Sequence, residues 1–127
     1  MRGAFVGALV VAALACGGGG ARSTTESRPI RGPADRISEA EINAGVYQNA
    51  LEVIRNLRPN MMVPRGTSTS PVPVLAYVDD VRLVDLNSLM TIPANRIREI
   101  RYINARDATT RWGTGHGSGV ILVTTKR

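Results

Sequence analysis

The sequence predicts an α+β domain over residues 37–127, a helix and shorter helical turns packed on a small mixed β-sheet. Three observations carry that expectation. One stretch repeats its apolar residues at helical spacing. Three short apolar runs are bounded by turn residues, as strands are. Helical and strand patterns alternate along the chain, which favours a layered domain with a helix on a sheet. With 127 residues, 43% hydrophobic and 20% charged, the chain has material for one ordinary domain.

Taken in order, the domain opens near Ile37. Ser38-Glu39-Ala40-Glu41 fits a capping box, with Ser38 and Glu41 satisfying each other's backbone donors. From Val46, the residues Val46, Ala50, Val53 and Leu57, flanked by Leu51 and Ile54, predict one amphipathic helix closed by Pro59 and Asn60. Residues 64–73 are a loop by composition. Residues 74–78 predict a strand, Asp79 and Asp80 a hairpin turn, and residues 81–83 the return. Asp85 is placed to cap a short helical turn at residues 86–90. Residues 97–104 predict a half-buried strand, with Arg98, Ile100 and Tyr102 on one face and Glu99, Arg101 and Ile103 on the other. A one- to two-turn helix follows at residues 105–112, with Asp107 as its N-cap. Residues 113–119 are a glycine-rich turn in which Gly113 and Gly119 suit positive φ. The run Val-Ile-Leu-Val-Thr-Thr at residues 120–125 is too apolar for a surface strand, so it is predicted to be the central one.

Residues 1–36 read differently. Met1-Arg2-Gly3 is a short positive start, and residues 4–14 form an apolar run too short for the roughly 20 residues that cross a bilayer. The run ends in Ala13-Leu14-Ala15-Cys16 and then four glycines. This resembles a bacterial lipoprotein signal, although Ala13 stands where that family usually has Leu. The resemblance implies cleavage after residue 15, lipid attached to Cys16 as the first mature residue, and, with Gly17 rather than Asp next, sorting to the outer membrane on the periplasmic side. A plain secretory signal cleaved near Ala15, with Cys16 incidental, is the alternative. Residues 16–36 hold one large apolar residue, Ile30, and are expected to be a flexible tether.

The second half carries another resemblance. Tyr77-Val78-Asp79-Asp80-Val81, Leu86-Asn87-Ser88-Leu89, Ile97-Arg98-Glu99-Ile100, Asp107 to Trp112-Gly113, and Gly119-Val120-Ile121-Leu122-Val123-Thr124-Thr125-Lys126 follow one another. This succession resembles the plug domain of TonB-dependent outer-membrane receptors. Asp107, Trp112, Gly113 and Gly119 match its motif residues. Asp80 departs from it where the family has Gly, and Gly115-His116-Gly117 replaces the usual turn. The sequence stops at Arg127, where a receptor would begin its barrel, so the expectation is a stand-alone plug-like domain. The implied role is non-enzymatic docking to an envelope protein partner, an outer-membrane barrel among the candidates, through a sheet edge or an Arg face, in outer-membrane uptake. A small-solute or glycan-binding module using the turns at Asp79, Asp80 and residues 113–119 is the alternative.

The chemistry-bearing residues are few. The single cysteine excludes an intramolecular disulfide and a Cys-rich zinc site. His116, the only histidine, has no second His or spare Cys beside it; it is expected to be an exposed turn residue, and no metal or other cofactor is expected beyond the lipid on Cys16. Ser118 lacks the flanking glycines of a nucleophile elbow, so no catalytic residue is predicted. Net charge is +6, and Lys126 is the only lysine among 16 cations. Arg96, Arg98, Arg101, Arg106 and Arg111 form the one candidate patch. Nucleic-acid modules interleave stacking aromatics with such charge. Only Tyr102 and Trp112 lie nearby, and an exported chain does not meet nucleic acid. An acidic protein partner or a lipid surface is one use of these arginines and a solvated face the other; Asp79, Asp80, Arg98, Arg101, Arg106, Arg111 and His116 are the candidate binding residues.

Overall fold

A computed structural model describes residues 32–65 and 72–127. The expected signal sequence, Cys16 and the expected tether up to residue 31 lie outside the described residues. Five strands form one mixed sheet: β1 (Arg36–Ser38), β2 (Leu75–Val78), β3 (Val81–Arg82), β4 (Ile97–Ile103) and β5 (Val120–Thr125), in the order β1-β4-β5-β2-β3. Three α-helices are described: α1 (Glu39–Asn43), α2 (Ala50–Leu57) and α3 (Ala105–Trp112). The domain is α+β, as the pattern predicts, and β5 is the middle strand.

β5 runs parallel to β2 and antiparallel to β4. Ile121 and Val123 face the main core with Ile37, Ile97, Ile100, Tyr102 and Ala76. Val120 and Leu122 face the other way, with Tyr77 and Ala108. Burial on both faces explains why the run is apolar at every position from 120 to 123. Each fully buried aliphatic side chain there contributes about 1.5–3 kcal/mol.

The main core is closed by α2, whose Ala50, Leu51, Val53 and Ile54 are buried. The helix starts later than its periodicity suggests. Asn49 is the N-cap and accepts from the Glu52 backbone N–H at 3.0 Å, while Val46 is 97% exposed. Two backbone bonds fix that start: Ala50 N–H to Ile92 O and Ala94 N–H to Gln48 O. Residues 44–49 are thus held as an approach to the helix, and the pattern position at Val46 is not used. Asp85 caps the 3-10 turn Leu86–Thr91 as expected, accepting from Ser88 N–H at 2.8 Å.

Two other expectations need correction. Strand β4 does not keep simple alternation, because its register shifts between Ile97 and Glu99. The extra residue puts Ile97, Ile100 and Tyr102 in the core and turns Arg98 out to solvent, so Arg98 does not share the face of Ile100. The N-cap of α3 is Asn104, which accepts from Asp107 N–H at 2.9 Å; Asp107 sits three residues inside and accepts from the Asn104 amide. Asn104 precedes the first helical residue and Asp107 does not, which decides the cap.

β1 was not foreseen, because three residues show no period. Arg36, Ile37 and Ser38 pair with Arg101, Ile100 and Glu99. The capping box at its end is present, and its glutamate does more than cap. The Glu41 carboxylate accepts from Ser38 N–H (2.9 Å), Gly32 N–H (2.9 Å) and the Arg58 guanidinium (2.8 Å), with its side chain 3% exposed. Arg58 also donates to Gly32 O and Leu57 O. One carboxylate therefore joins the chain entry, β1, α1 and the end of α2. Burial pushes its pKa up, but the Ser38 and Gly32 amides and Arg58 together outweigh burial and hold it below the usual value.

The far end of the sheet is closed by a tight approach at Gly119, whose φ is +84°. A Cβ there would lie 2.7 Å from the Ile103 carbonyl oxygen and 2.6 Å from Tyr102 Cζ.

Two outcomes follow. Glu41→Ala removes the carboxylate partner of two amides and of the half-buried Arg58 guanidinium, and is expected to lower unfolding free energy by about 2 kcal/mol in urea titrations. In the wild type the depressed pKa gives a stabilisation present above an ordinary glutamate's pKa of about 4.3, lost as the pH falls through the lower folded value; Glu41→Gln removes that acid limb. Separately, Gly119→Ala combines positive φ with backbone collision, and is expected to cost more than about 2 kcal/mol by thermal or urea unfolding.

Candidate functional site

The second face of the sheet carries most of the chemistry-bearing residues. Its cover is thin: α3 is only eight residues long and buries a single one, Ala108. The remainder of the cover is aromatic. Strand alternation places Tyr77 outward from the main core, where it stacks on Trp112 at 4.6 Å between ring centroids. Gly113, at φ +90°, ends α3 and turns the chain back towards β5.

His116 lies within this cover and is 4% exposed, which corrects the expectation of an exposed turn residue. Both ring nitrogens are engaged. Nδ1 lies 2.8 Å from Gly113 O, and Nε2 lies 2.9 Å from the Tyr77 hydroxyl. The carbonyl can only accept, so Nδ1 carries a proton, and in the neutral imidazole Nε2 accepts from Tyr77. Ser118 is also buried; its hydroxyl donates to Val72 O and not to His116. The Tyr102 hydroxyl donates to Ser118 O at 2.8 Å, and burial pushes the Tyr102 pKa up against the opposing charge of Arg65, which sits over its ring. The glycine-rich turn is thereby fastened to β2 and β4 through His116 and Tyr102.

Asp79 and Asp80 form the expected hairpin, with φ of 46° and 70°. Such values define the two-residue turn that matches strand twist, and Asp tolerates them better than most residues. Asp79 is used internally: both carboxylate oxygens accept from Thr125, one from its hydroxyl and one from its N–H at 2.9 Å. Those two bonds hold its pKa below the usual value, helped by the charge of Arg127. Asp80 pairs with Arg111 at 2.6 Å, and the Arg111 guanidinium lies 4.7 Å from the Trp112 ring centroid. The structure thus brings Asp80, Arg111, Trp112, Tyr77 and His116 into one corner.

The other arginines do not join that corner. Arg101 pairs with Glu99 at 3.2 Å, and Glu99 also holds Arg36 at 2.9 Å. Arg106 is exposed on α3, Arg96 is exposed at the end of a 3-10 turn, and Arg98 lines a separate groove with Lys126 and Arg127. The candidate Arg patch is therefore dispersed over several surfaces. The outward N–H groups of β1 are also taken, Arg36 by Pro33 O and Ser38 by Glu41, so that edge offers few free donors to another strand.

Sequence reasoning missed Tyr77 and Glu41 as organising residues. The signal for Tyr77 was its place two residues before Asp79 on an alternating strand. For Glu41 the local cap was legible, but its link to Arg58, 17 residues away, was not.

The corner offers no free base beside a nucleophile. Among the described residues no group of three or more His, Cys, Asp or Glu is placed to hold a metal ion. What the face presents is hydrogen-bonded polar groups, shallow grooves and exposed guanidinium groups. Comparison of this chain with protein-family models, with curated proteins and with solved structures finds no match.

Tyr77→Phe removes the hydroxyl that His116 Nε2 needs and leaves a buried acceptor unpaired. A loss of about 1–3 kcal/mol is expected, read by urea unfolding. His116→Phe combined with Tyr77→Phe should cost less than the sum of the single changes, because the pair acts together.

Proposed function

We propose that this chain is a lipid-anchored protein of the bacterial cell envelope whose plug-like domain docks on an envelope protein partner and performs no chemistry on it. The observation that supports this best is the run from Tyr77 to Lys126. The pieces that resemble the receptor plug all have structural work in one sheet. The Asp79 and Asp80 turn joins β2 to β3 and clasps Thr125 at the end of β5. Asp85 caps its turn, Trp112 and Gly113 end α3 against Tyr77, and Gly119 leads into β5.

Docking suits the surface. Two polar groups that a catalyst or small-solute site would use already have partners within the chain: buried His116 with Gly113 and Tyr77, and exposed Asp79 with Thr125. Guanidinium groups remain at the surface, where their planar donors suit carboxylates on another protein. Anchoring would come from acyl chains at Cys16, each buried CH₂ contributing about 0.8 kcal/mol.

Two measurements test the reading. Cys16→Ser is expected to move the chain from the membrane to the soluble fraction; a variant that stays with membranes removes the anchor. Crosslinking in intact membranes is expected to trap a discrete protein partner. Recovery of the chain without any partner, but with a retained small molecule, would favour a solute-binding module instead.

A further inference from the structure

Tyr77 and His116 are buried together on the second face of the sheet, 5% and 4% exposed. The Tyr77 hydroxyl lies 2.9 Å from His116 Nε2, while Nδ1 is held by Gly113 O. The Tyr77 ring stacks on Trp112, with centroids 4.6 Å apart and planes at 28°. Trp112 is only partly buried, and the Arg111 guanidinium lies 4.7 Å from its ring centroid. An indole within reach of solvent thus stacks on a phenol that is hydrogen-bonded to a base. The other two tyrosines are placed differently. Tyr102 donates to Ser118 O, and a carbonyl oxygen does not take a proton from a phenol. Tyr47 packs against the main core, on the other face of the sheet from Trp112.

We propose that Tyr77 and His116 form a redox-active pair, which takes up the oxidising equivalent when a one-electron oxidant, a small inorganic radical, attacks Trp112. The oxidant gains one electron and the indole loses it. An electron then passes from Tyr77 to Trp112 across the stack, while the phenolic proton moves to His116 Nε2. The indole is restored, with any proton it gave to water in the interval. A neutral phenoxyl and an imidazolium remain. A diffusible one-electron reductant of the enediolate or thiolate class returns the electron to Tyr77, and the proton goes back from Nε2. Three features favour this chemistry. A phenol that loses an electron becomes a very strong acid, so its oxidation is easy only where a base takes the proton, and His116 is the base in contact with Tyr77. After the transfer both imidazolium N–H groups keep acceptors, Gly113 O and the Tyr77 oxygen, so no side chain has to move. The charge of Arg111 disfavours a positive hole resting on the indole, although Asp80 offsets part of it. None of these steps needs a docked partner.

The probe is the azide radical, generated by pulse radiolysis in a solution of the full chain, which oxidises tryptophan faster than tyrosine at neutral pH. The chain has a single tryptophan, so the indolyl absorption reports Trp112 alone. That absorption is expected to decay in step with the growth of phenoxyl absorption, at a first-order rate independent of protein concentration. Tyr77→Phe should abolish the growth, and Tyr47→Phe should leave its rate within about twofold. His116→Gln keeps a hydrogen-bond acceptor but removes the base, and should slow the transfer about tenfold or more. If circular dichroism shows that this variant does not fold, the wild type in heavy water decides, since a transfer that carries the proton is slower there than in ordinary water. Phenoxyl growth that persists in Tyr77→Phe overturns the assignment to Tyr77. Equal rates in the wild type and a folded His116→Gln, or equal wild-type rates in the two waters, remove His116 from the step and overturn the pair. Indolyl decay in the wild type without phenoxyl growth overturns the transfer itself.

Discussion

The constraint on which this fold depends is that β5 is buried on both faces in a domain with little helix to cover it. One face is covered well, by α2 and the 3-10 turns packed over Ile121 and Val123. The other face has only α3, whose single buried residue is Ala108. The deficit is made up by Tyr77 and Trp112, large side chains that cover more area per residue than any aliphatic, and by a loop pinned beneath them. His116 follows from this arrangement. A loop of small residues brings little apolar surface of its own, so it is held by hydrogen bonds from an imidazole and from Tyr102.

The same economy shows in the charges. The carboxylates that matter most structurally are those with more than one partner: Glu41 with Gly32, Ser38 and Arg58; Glu99 with Arg36 and Arg101; Asp79 with the two donors of Thr125. Arginine suits such sharing, because its planar fork presents five donors at fixed angles, and this chain has one lysine among its cations. With the acids occupied, several guanidinium groups are left facing solvent. Among the described residues the positive charge is therefore a set of separate basic spots and not one continuous patch.

What was legible in the sequence was whatever depends on neighbours in the chain. The capping box at Ser38, the turn at Asp79 and Asp80, the Asp85 cap, the bounds of α3 and the central place of β5 all rest on spacings of a few residues. What was not legible depends on distant partners. β1 is too short to show a period and exists because β4 offers it a ladder. Val46 fits the helical repeat, but Gln48 and Ala50 are tied to residues 92–94 and the helix starts after it. Arg98 reads as one member of an alternating face, and only the register shift beside it turns it away. His116 looks like a turn residue because its partner Tyr77 is 39 positions earlier.

The parallel pairing of β2 with β5 has a kinetic consequence. β4, α3 and β5 are consecutive, so a compact antiparallel unit can form within Ile97 to Thr125 after closing only a short loop. β2 must instead be brought in from more than forty residues away in register, Leu75 to Val120, with the intervening β4 and α3 already passing beside it. Closure entropy is spent before that contact stabilises anything, which makes β2 insertion the natural bottleneck of folding. Until it is complete, β5 has one unpaired edge and Trp112 has no ring to stack on. This interval is when the chain is most exposed to mispairing, and the positive-φ turn after β2, closed by Asp79 on Thr125, is what ends it.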